Sequence, residues 1–282
     1  MQLSYFSKPS AATRRYVRYY VQHEAQLGTS TVAIAVPARA AHLLDFEFGS
    51  RIETRATDTD VIRRPDTAAL VGLETYPRHC LLVTGNIESF AIQLQATAIH
   101  RLFGVPAVNI TDCDYAAHAV LGLAVSELQQ RLGNARCFED RVQIADQFIA
   151  SQAGRAPVRD SIELAANEIM RNDGRCRIDF LAHHTGLSVR NFQRMFRERV
   201  GVPPKVYSRI VRFEAALRTK AASPHMSWMT VAHEFGYHDQ MHLIHDFRQF
   251  SGETPSGILG RPVVVFSTIQ SAVHVDPEIL TL

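Results

Sequence analysis

The chain has 282 residues, 46% hydrophobic and 21% charged, with a net charge of only +2. That composition excludes a disordered or fibrous polypeptide and predicts a globular core in one large domain or two ordinary ones. The first residues, MQLSYFSKPS, lack a secretion signal, and no stretch reaches the roughly 18 apolar residues of a membrane helix, so a cytoplasmic protein with no membrane partner is expected. In chain order, His42–Phe48 alternates, with Leu44, Phe46 and Phe48 on one side and Asp45 and Glu47 on the other. Phe90–Gln95 repeats the pattern, with Phe90, Ile92 and Leu94 inward; both segments read as strands. Ala69–Leu73 and Leu81–Val83 are further short strands. Ala116–Leu132 turns helical, with Leu121, Val125, Leu128 and Leu132 on one face. Phe138–Ala150 is a second helix, carrying Val142, Ile144, Phe148 and Ile149. Ser151–Arg159 holds Gly and Pro without periodicity and is placed as a linker. The division is therefore 1–155, then a helical region 160–260, then an apolar tail, 261–282, with no assignable element.

The four cysteines, Cys80, Cys113, Cys137 and Cys176, form no CxxC pair. They argue against a disulfide framework or a thiolate zinc cluster, and each is expected to be a small buried hydrophobe. Charge is unevenly spread. Residues 188–220 hold nine Lys and Arg against two Asp and Glu, a local basic block suited to a polyanion.

The second half repeats itself. LAHHTGLSVRNFQRMFRERVGVPP, from Leu181, aligns with VAHEFGYHDQMHLIHDFRQFSGETP, from Val231. Ala182, His183 and Gly186 correspond to Ala232, His233 and Gly236; Phe196, Gly201 and Pro204 correspond to Phe247, Gly252 and Pro255. Each copy reads as a short helix (Ile178–Thr185 or Met229–Phe235), a glycine turn, an N-cap (Ser188 or Asp239), and a second helix ending at glycine with proline soon after. That is the grammar of a helix-turn-helix.

The repeat settles a false lead. His233, His238, His242 and His245 crowd one stretch, and His238–His242 is one letter from the HExxH zinc signature. A zincin needs both histidines and a glutamate on one helix. Here Gly236 turns the chain between His233 and His238, Asp239 is needed as a cap, and no third protein ligand is identifiable. No metal site is expected.

On the second helix of the first copy, Phe192 and Phe196 mark the buried stripe. Arg190, Gln193, Arg194 and Arg197 lie around the opposite side. Arg pairs bidentately with guanine and Gln with adenine in a major groove. In the second copy Leu243, Phe247 and Phe250 are inward, while Met241, Ile244, His245 and Arg248 face away; His242 lies on the flank. Arg197 and Arg248 reach phosphate or an intramolecular carboxylate. Trp228 and Met229, leading into the second unit, are expected in the core. Between the copies, Pro203–Ala221 reads as a helix spanning roughly 25 Å, suited to holding two reading heads near one turn of DNA apart, roughly 34 Å. Its Lys205, Arg209, Arg212, Arg218 and Lys220 are expected to add phosphate attraction.

These residues, over about 160–260, resemble the DNA-binding domain of the AraC/XylS transcription regulators. The resemblance implies an α+β chain: a β-rich first domain with helices, built on a small cupin-like barrel that binds an effector and dimerises, then an all-α domain with two helix-turn-helix units. It implies DNA reading by Arg190, Gln193 and Arg194 in the first unit and by Gln240, Met241, Ile244 and His245 in the second. Gln240 enters through the resemblance alone. Phosphate contacts are expected from Ser188, Arg197, Lys205, Arg209 and Arg248. The family often has arginine where His245 stands and polar residues where Met241 and Ile244 stand, so the second unit is expected to add more affinity than specificity.

The expected partners are double-stranded DNA, a small-molecule effector, RNA polymerase and a second copy of the chain, joined through Ala116–Leu132 or Phe138–Ala150. No cofactor is implied. His42, Glu74, Arg78 and His79 are polar groups near the predicted strands that could line a ligand site or sit on a solvated surface. No nucleophile elbow, glycine-rich phosphate loop or alkyl-accepting cysteine motif is present, so an enzyme is not expected. The rival readings are an enzyme or small-molecule-binding protein anchored to DNA by its helices, and an adaptor that uses the helices without DNA.

Overall fold

The computed structural model describes residues 2–154 and 161–260. Most of the linker and the whole tail 261–282 lie outside the described residues. The first half is built on ten strands: β1 (Gln2–Ser7), β2 (Val17–Gln26), β3 (Val32–Ala35), β4 (Leu43–Glu47), β5 (Glu53–Ala56), β6 (Ile62–Arg63), β7 (Ala68–Val71), β8 (His79–Val83), β9 (Asn86–Leu94) and β10 (Asp114–Ala116). They form a six-stranded sheet, ordered β1-β2-β9-β4-β7-β10, and a four-stranded sheet, ordered β3-β8-β5-β6.

The larger sheet is covered on both faces, and the period of two decides which residue goes where. One face carries Tyr20, Leu44, Phe46, Leu70, Phe90 and Ile92, all at 0% exposure. These pack on α1 (Ala98–Phe103) and, after α2 (Ala117–Leu121), on α3 (Leu123–Gly133) and α4 (Phe138–Ala153), through Ile99, Leu128, Leu132 and Ile149. The other face carries Tyr19, Val21, Leu43, Asp45, Ala91 and Gln93 toward the second sheet. The register is consistent: Asp45 stands opposite Ala91 and Ala69, and Leu43 opposite Gln93 and Val71.

Several expectations change here. Asp45 and Glu47, opposite the apolar side of β4, look into the space between the sheets. Ala116–Leu132 is not one helix, because Gly122, at φ 81°, separates α2 from α3. Strands β1 and β2 were not predicted; β2, VRYYVQHEAQ, is buried on both faces and so lacks alternation. No cysteine is buried: Cys137 is exposed and the other three are intermediate.

The second half is helical: α5 (Ser161–Arg171), α6 (Ile178–His184), α7 (Val189–Val200), α8 (Pro204–Ala222), α9 (Trp228–Glu234), α10 (Gln240–Ser251) and α11 (Pro255–Gly260). Its core joins Ile162, Ile169, Phe192, Phe196, Ile210, Phe213, Leu217, Phe247 and Phe250. Ala38, Ala40, Leu73 and Ala96 from the first half belong to that same core. Glu163 of α5, 2% exposed, is gripped by Arg15 at 2.7 and 2.9 Å and by Arg101 of α1. Among the described residues no helix is long and apolar enough to cross a membrane.

Candidate nucleic-acid interface

The two helical units are built alike, with one extra residue between turn and cap in the second. Ser188 caps α7 by accepting from the Asn191 amide at 3.3 Å; Asp239 caps α10 by accepting from the His242 amide at 2.8 Å. That hydrogen bond lowers the Asp239 carboxyl below the usual range, as expected of an anion at a helix N-terminus. The inter-helix turns pass through Gly186 at φ 69° and Gly236 at φ 67°, a region in which side chains with a Cβ are strained. Both second helices close on a left-handed glycine, Gly201 and Gly252, whose amides bond to the carbonyls of Arg197 and Arg248 at 2.9 and 3.0 Å.

On α7 the buried residues are Phe192, Phe196 and Val200. Arg190, Gln193, Arg194 and Arg197 are exposed together on the other side. Arg194 rests along its own helix, bonding Asn191 Oδ1 at 2.9 Å and Glu198 Oε2 at 3.3 Å. Such an exposed i,i+4 pair is weak and releases readily. On α10, Leu243, Phe247 and Phe250 are buried. Gln240, Met241, His242, His245 and Arg248 are exposed, Met241 at 68%, and Ile244 is half-buried. Trp228 packs edge-on to Phe247 with ring centroids 5.1 Å apart. Met229 does not join the core; it is 68% exposed.

The connecting helix α8 runs 19 residues, so its axis spans about 28 Å. Its cations mostly serve the fold rather than phosphate. Arg209 bonds Asp246 at 2.6 Å and Gln249 at 2.7 Å while its guanidinium lies over Phe250. Asp246 is 0% exposed, so this pair ties α8 to α10. Arg212 bonds the Gly174 carbonyl, Arg218 bonds Asp173, and Lys220, 8% exposed, caps the carbonyls of Pro224 and Met226. Of the cations on this helix expected to contact phosphate, these four are held by intramolecular partners, and Lys205 is exposed. The histidines do not converge: His233 lies on α9 and His242 and His245 on α10, beyond the Gly236 turn. Among the described residues no group of three or more His, Cys, Asp or Glu is placed to hold a metal.

A second feature lies between the two sheets, a cavity of about 110 Å³. Glu74 and His79 line it, together with Arg39, Asp45, Glu47 and Gln93, which sequence reasoning did not single out. The polar side of β4 was the available signal. His42 and Arg78 are not in its lining. His42, at 0% exposure, accepts from the Leu73 amide at 3.0 Å, and burial holds its imidazole neutral, down to about 4. Arg78 bonds Asp114 at 2.8 Å and Glu74 at 3.3 Å. The segment between β3 and β4 joins this cavity to the connecting helix α8 and to α10 of the second unit. Arg39 lines the cavity and forms a backbone bridge with Glu74. Its neighbours reach outward: the Ala38 amide donates to the Phe250 carbonyl of α10 at 2.7 Å, and the Ala40 amide to Glu214 of α8 at 3.0 Å.

Residues 181–261 match the family of helix-turn-helix domains. No curated protein matches the chain. Among solved structures, the chain is similar to ToxT from Vibrio cholerae O395, at 11% identity over 84% of this chain and 95% of that one, with a TM-score of 0.44. It is similar also to ToxT from the same strain bound to (E)-4-(8-methylnaphthalen-1-yl)but-3-enoic acid, at 10% identity over 90% and 97%, TM-score 0.45. The AraC-like transcriptional activator CuxR is similar at 15% identity over 76% and 86%, TM-score 0.24. The matched segment carries both glycine turns, both caps and both exposed helix faces, and residues 181–261 are a helix-turn-helix domain.

Proposed function

We propose that the chain is a sequence-specific DNA-binding transcription regulator whose first domain senses a small-molecule effector. The observation that carries this reading is the exposed Arg190-Gln193-Arg194 face, set on a capped helix and opposite a fully buried aromatic stripe. Its donors match purine edges in a major groove, and they stand on a rigid element. Met241, Ile244 and His245 offer the second unit's contacts, with Gln240 at the helix start. Ser188, Arg197, Lys205 and Arg248 are assigned to phosphate. Phosphate contacts position the protein, and the few base contacts select the site. The chemistry is binding alone.

We assign residues 1–155 to sensing and dimerisation and 160–260 to DNA. The cavity supports the sensing role, and the Ala38–Ala40 segment supports coupling, because one short stretch touches cavity, α8 and α10. Leu123, 79% exposed on α3, supports self-association through the 116–132 region. Contact with RNA polymerase belongs to the same reading.

The test is selection of random duplex DNA by the full chain, beside Arg190→Ala/Arg194→Ala. Enrichment of a motif with two blocks about one helical turn apart, roughly 34 Å, and loss of one block in the variant is the expected outcome. Equal enrichment by both proteins would overturn the assignment of the reading face.

A further inference from the structure

The cavity between the sheets has a defined chemical character. At about 110 Å³ it is several times larger than one water requires. Apolar residues from both sheets, among them Val21, Ile34 and Leu81, make most of its wall. Four carboxyl groups line it, those of Asp45, Glu47, Glu74 and Asp114. Asp45 and Glu47 both project into it from β4. Among the described residues Glu47 has the Ile52 amide at 3.4 Å and Arg51 at 3.9 Å. Glu74, 1% exposed, adds a third carboxylate. Gln93, 3% exposed, lines the same space, and its Oε1 has no hydrogen-bond partner.

The guanidinium in the wall belongs to Arg39, and all three of its nitrogens are engaged: Nε with the Ala41 carbonyl at 3.2 Å, one terminal nitrogen with the Gly72 carbonyl at 3.2 Å, the other with Glu74 at 3.4 Å. His23 and His79 are kept neutral by burial, His23 with a pKa lowered to about 4. Burial raises the acids, Glu47 and Glu74 to about 7 and Asp45 to about 6, so at mildly alkaline pH an anionic ligand would meet carboxylates and, among the lining residues, no uncommitted cation. Carboxylates out of water are costly unless something positive or hydrogen-donating joins them.

We infer that this cavity takes a small organic cation, an ammonium or amidinium head on a compact apolar body, with the head donating to Asp45, Glu47 and Gln93 Oε1. The body packs on Val21, Ile34 and Leu81. The inference rests on the reading of the first domain as a sensor and names the class of molecule sensed. It also gives Arg39 a part: a cation beside Glu74 competes with Arg39 for that carboxylate, and Arg39 sits between the two amides that hold α8 and α10.

The test is calorimetric titration of the full chain at mildly alkaline pH with benzylamine and benzamidine, and with benzyl alcohol and benzoate of similar shape. Both cations are expected to bind saturably, at roughly millimolar affinity or tighter, and the alcohol and carboxylate about tenfold more weakly or not at all. Asp45→Asn and Glu47→Gln keep shape and remove charge; each is expected to weaken the cations about tenfold, and a melting curve verifies that each variant is folded. Should a variant fail to fold, the preference of the wild-type chain for cation over alcohol and carboxylate decides alone. Benzoate or benzyl alcohol binding as tightly as benzylamine, or no binding by either cation, overturns the inference. The same preparation goes through duplex selection. DNA selected without amine binding sinks the ligand class and leaves the regulator; amine binding without DNA selection does the reverse.

Discussion

The Ala40 amide donates to the Glu214 carboxylate across the junction between the sheets and the helices, at 3.0 Å, with Ala40 1% and Glu214 6% exposed. Two residues away along the strand-side segment, Ala38 donates to the end of α10. The first half of the chain thus holds the connecting helix α8 and the second unit's α10 through backbone donors that are buried and need their acceptors.

Glu214→Ala leaves the Ala40 amide without its acceptor, and a loss of about 1–3 kcal/mol in denaturant unfolding is expected. Glu214→Gln keeps an acceptor and is expected to lose less than half of that. If both variants unfold with the wild type, this contact does not hold the junction.

The cations of the helical half divide into two groups with opposite signatures. Arg209→Ala strands the buried Asp246 carboxylate, so a loss on the order of 3 kcal/mol of stability is expected. It should leave the salt dependence of DNA binding unchanged once folding is restored by cooling. Lys205→Ala should keep the melting temperature and lower the slope of log affinity against log salt by about 1. The reverse pattern would return Arg209 to the phosphate contacts.

Met241 and His245 are exposed, but a thioether has no donor and one imidazole makes no bidentate pair, so they carry little base-edge information. Met241→Ala/His245→Ala is expected to weaken binding by about 1–2 kcal/mol across sequences and to leave the selected motif intact in the second block. Collapse of preference in that block, measured by the same duplex selection, would show that the second unit reads sequence.

Burial raises the Asp45 carboxyl from 3.8 to about 6, with Arg39 opposing; Glu47, His23, Glu74 and His79 share the cavity. A raised carboxyl pKa means that the folded chain binds the proton more tightly than the unfolded one. Stability from this group is therefore full below the unfolded value and is lost as pH rises through about 6. Asp45→Asn should match the wild type near pH 4 and exceed it above pH 7, by on the order of 1–2 kcal/mol after allowance for screening. Taking the difference between the two proteins cancels the opposite trend of His23, which loses stability as pH falls. Equal unfolding free energies at both pH values would show that Asp45 is not a charged wall of the cavity.

How much of this was legible in the residues differs between the halves. The helix-turn-helix units could be read directly, because caps, glycine turns and buried stripes are local and occur twice: Ser188 and Asp239, Gly186 and Gly236, Phe196 and Phe247. Local sequence alone sets a helix face, so Arg190, Gln193 and Arg194 emerged as exposed. The alternation of β4 was also visible, but not what its polar side faces.

Only tertiary structure decided the rest, because it depends on pairing between distant segments. Asp45 and Glu47 line a cavity since a second sheet, formed by β3, β8, β5 and β6, closes over them. Arg209 serves the fold because Asp246, 37 residues on, is buried against it. Glu214 reads as one more acid on an amphipathic helix until the chain brings Ala40, 174 positions earlier, within hydrogen-bond reach. A charge on a helix or strand has no assigned role until its partner is in place, and no periodicity records a partner that far away.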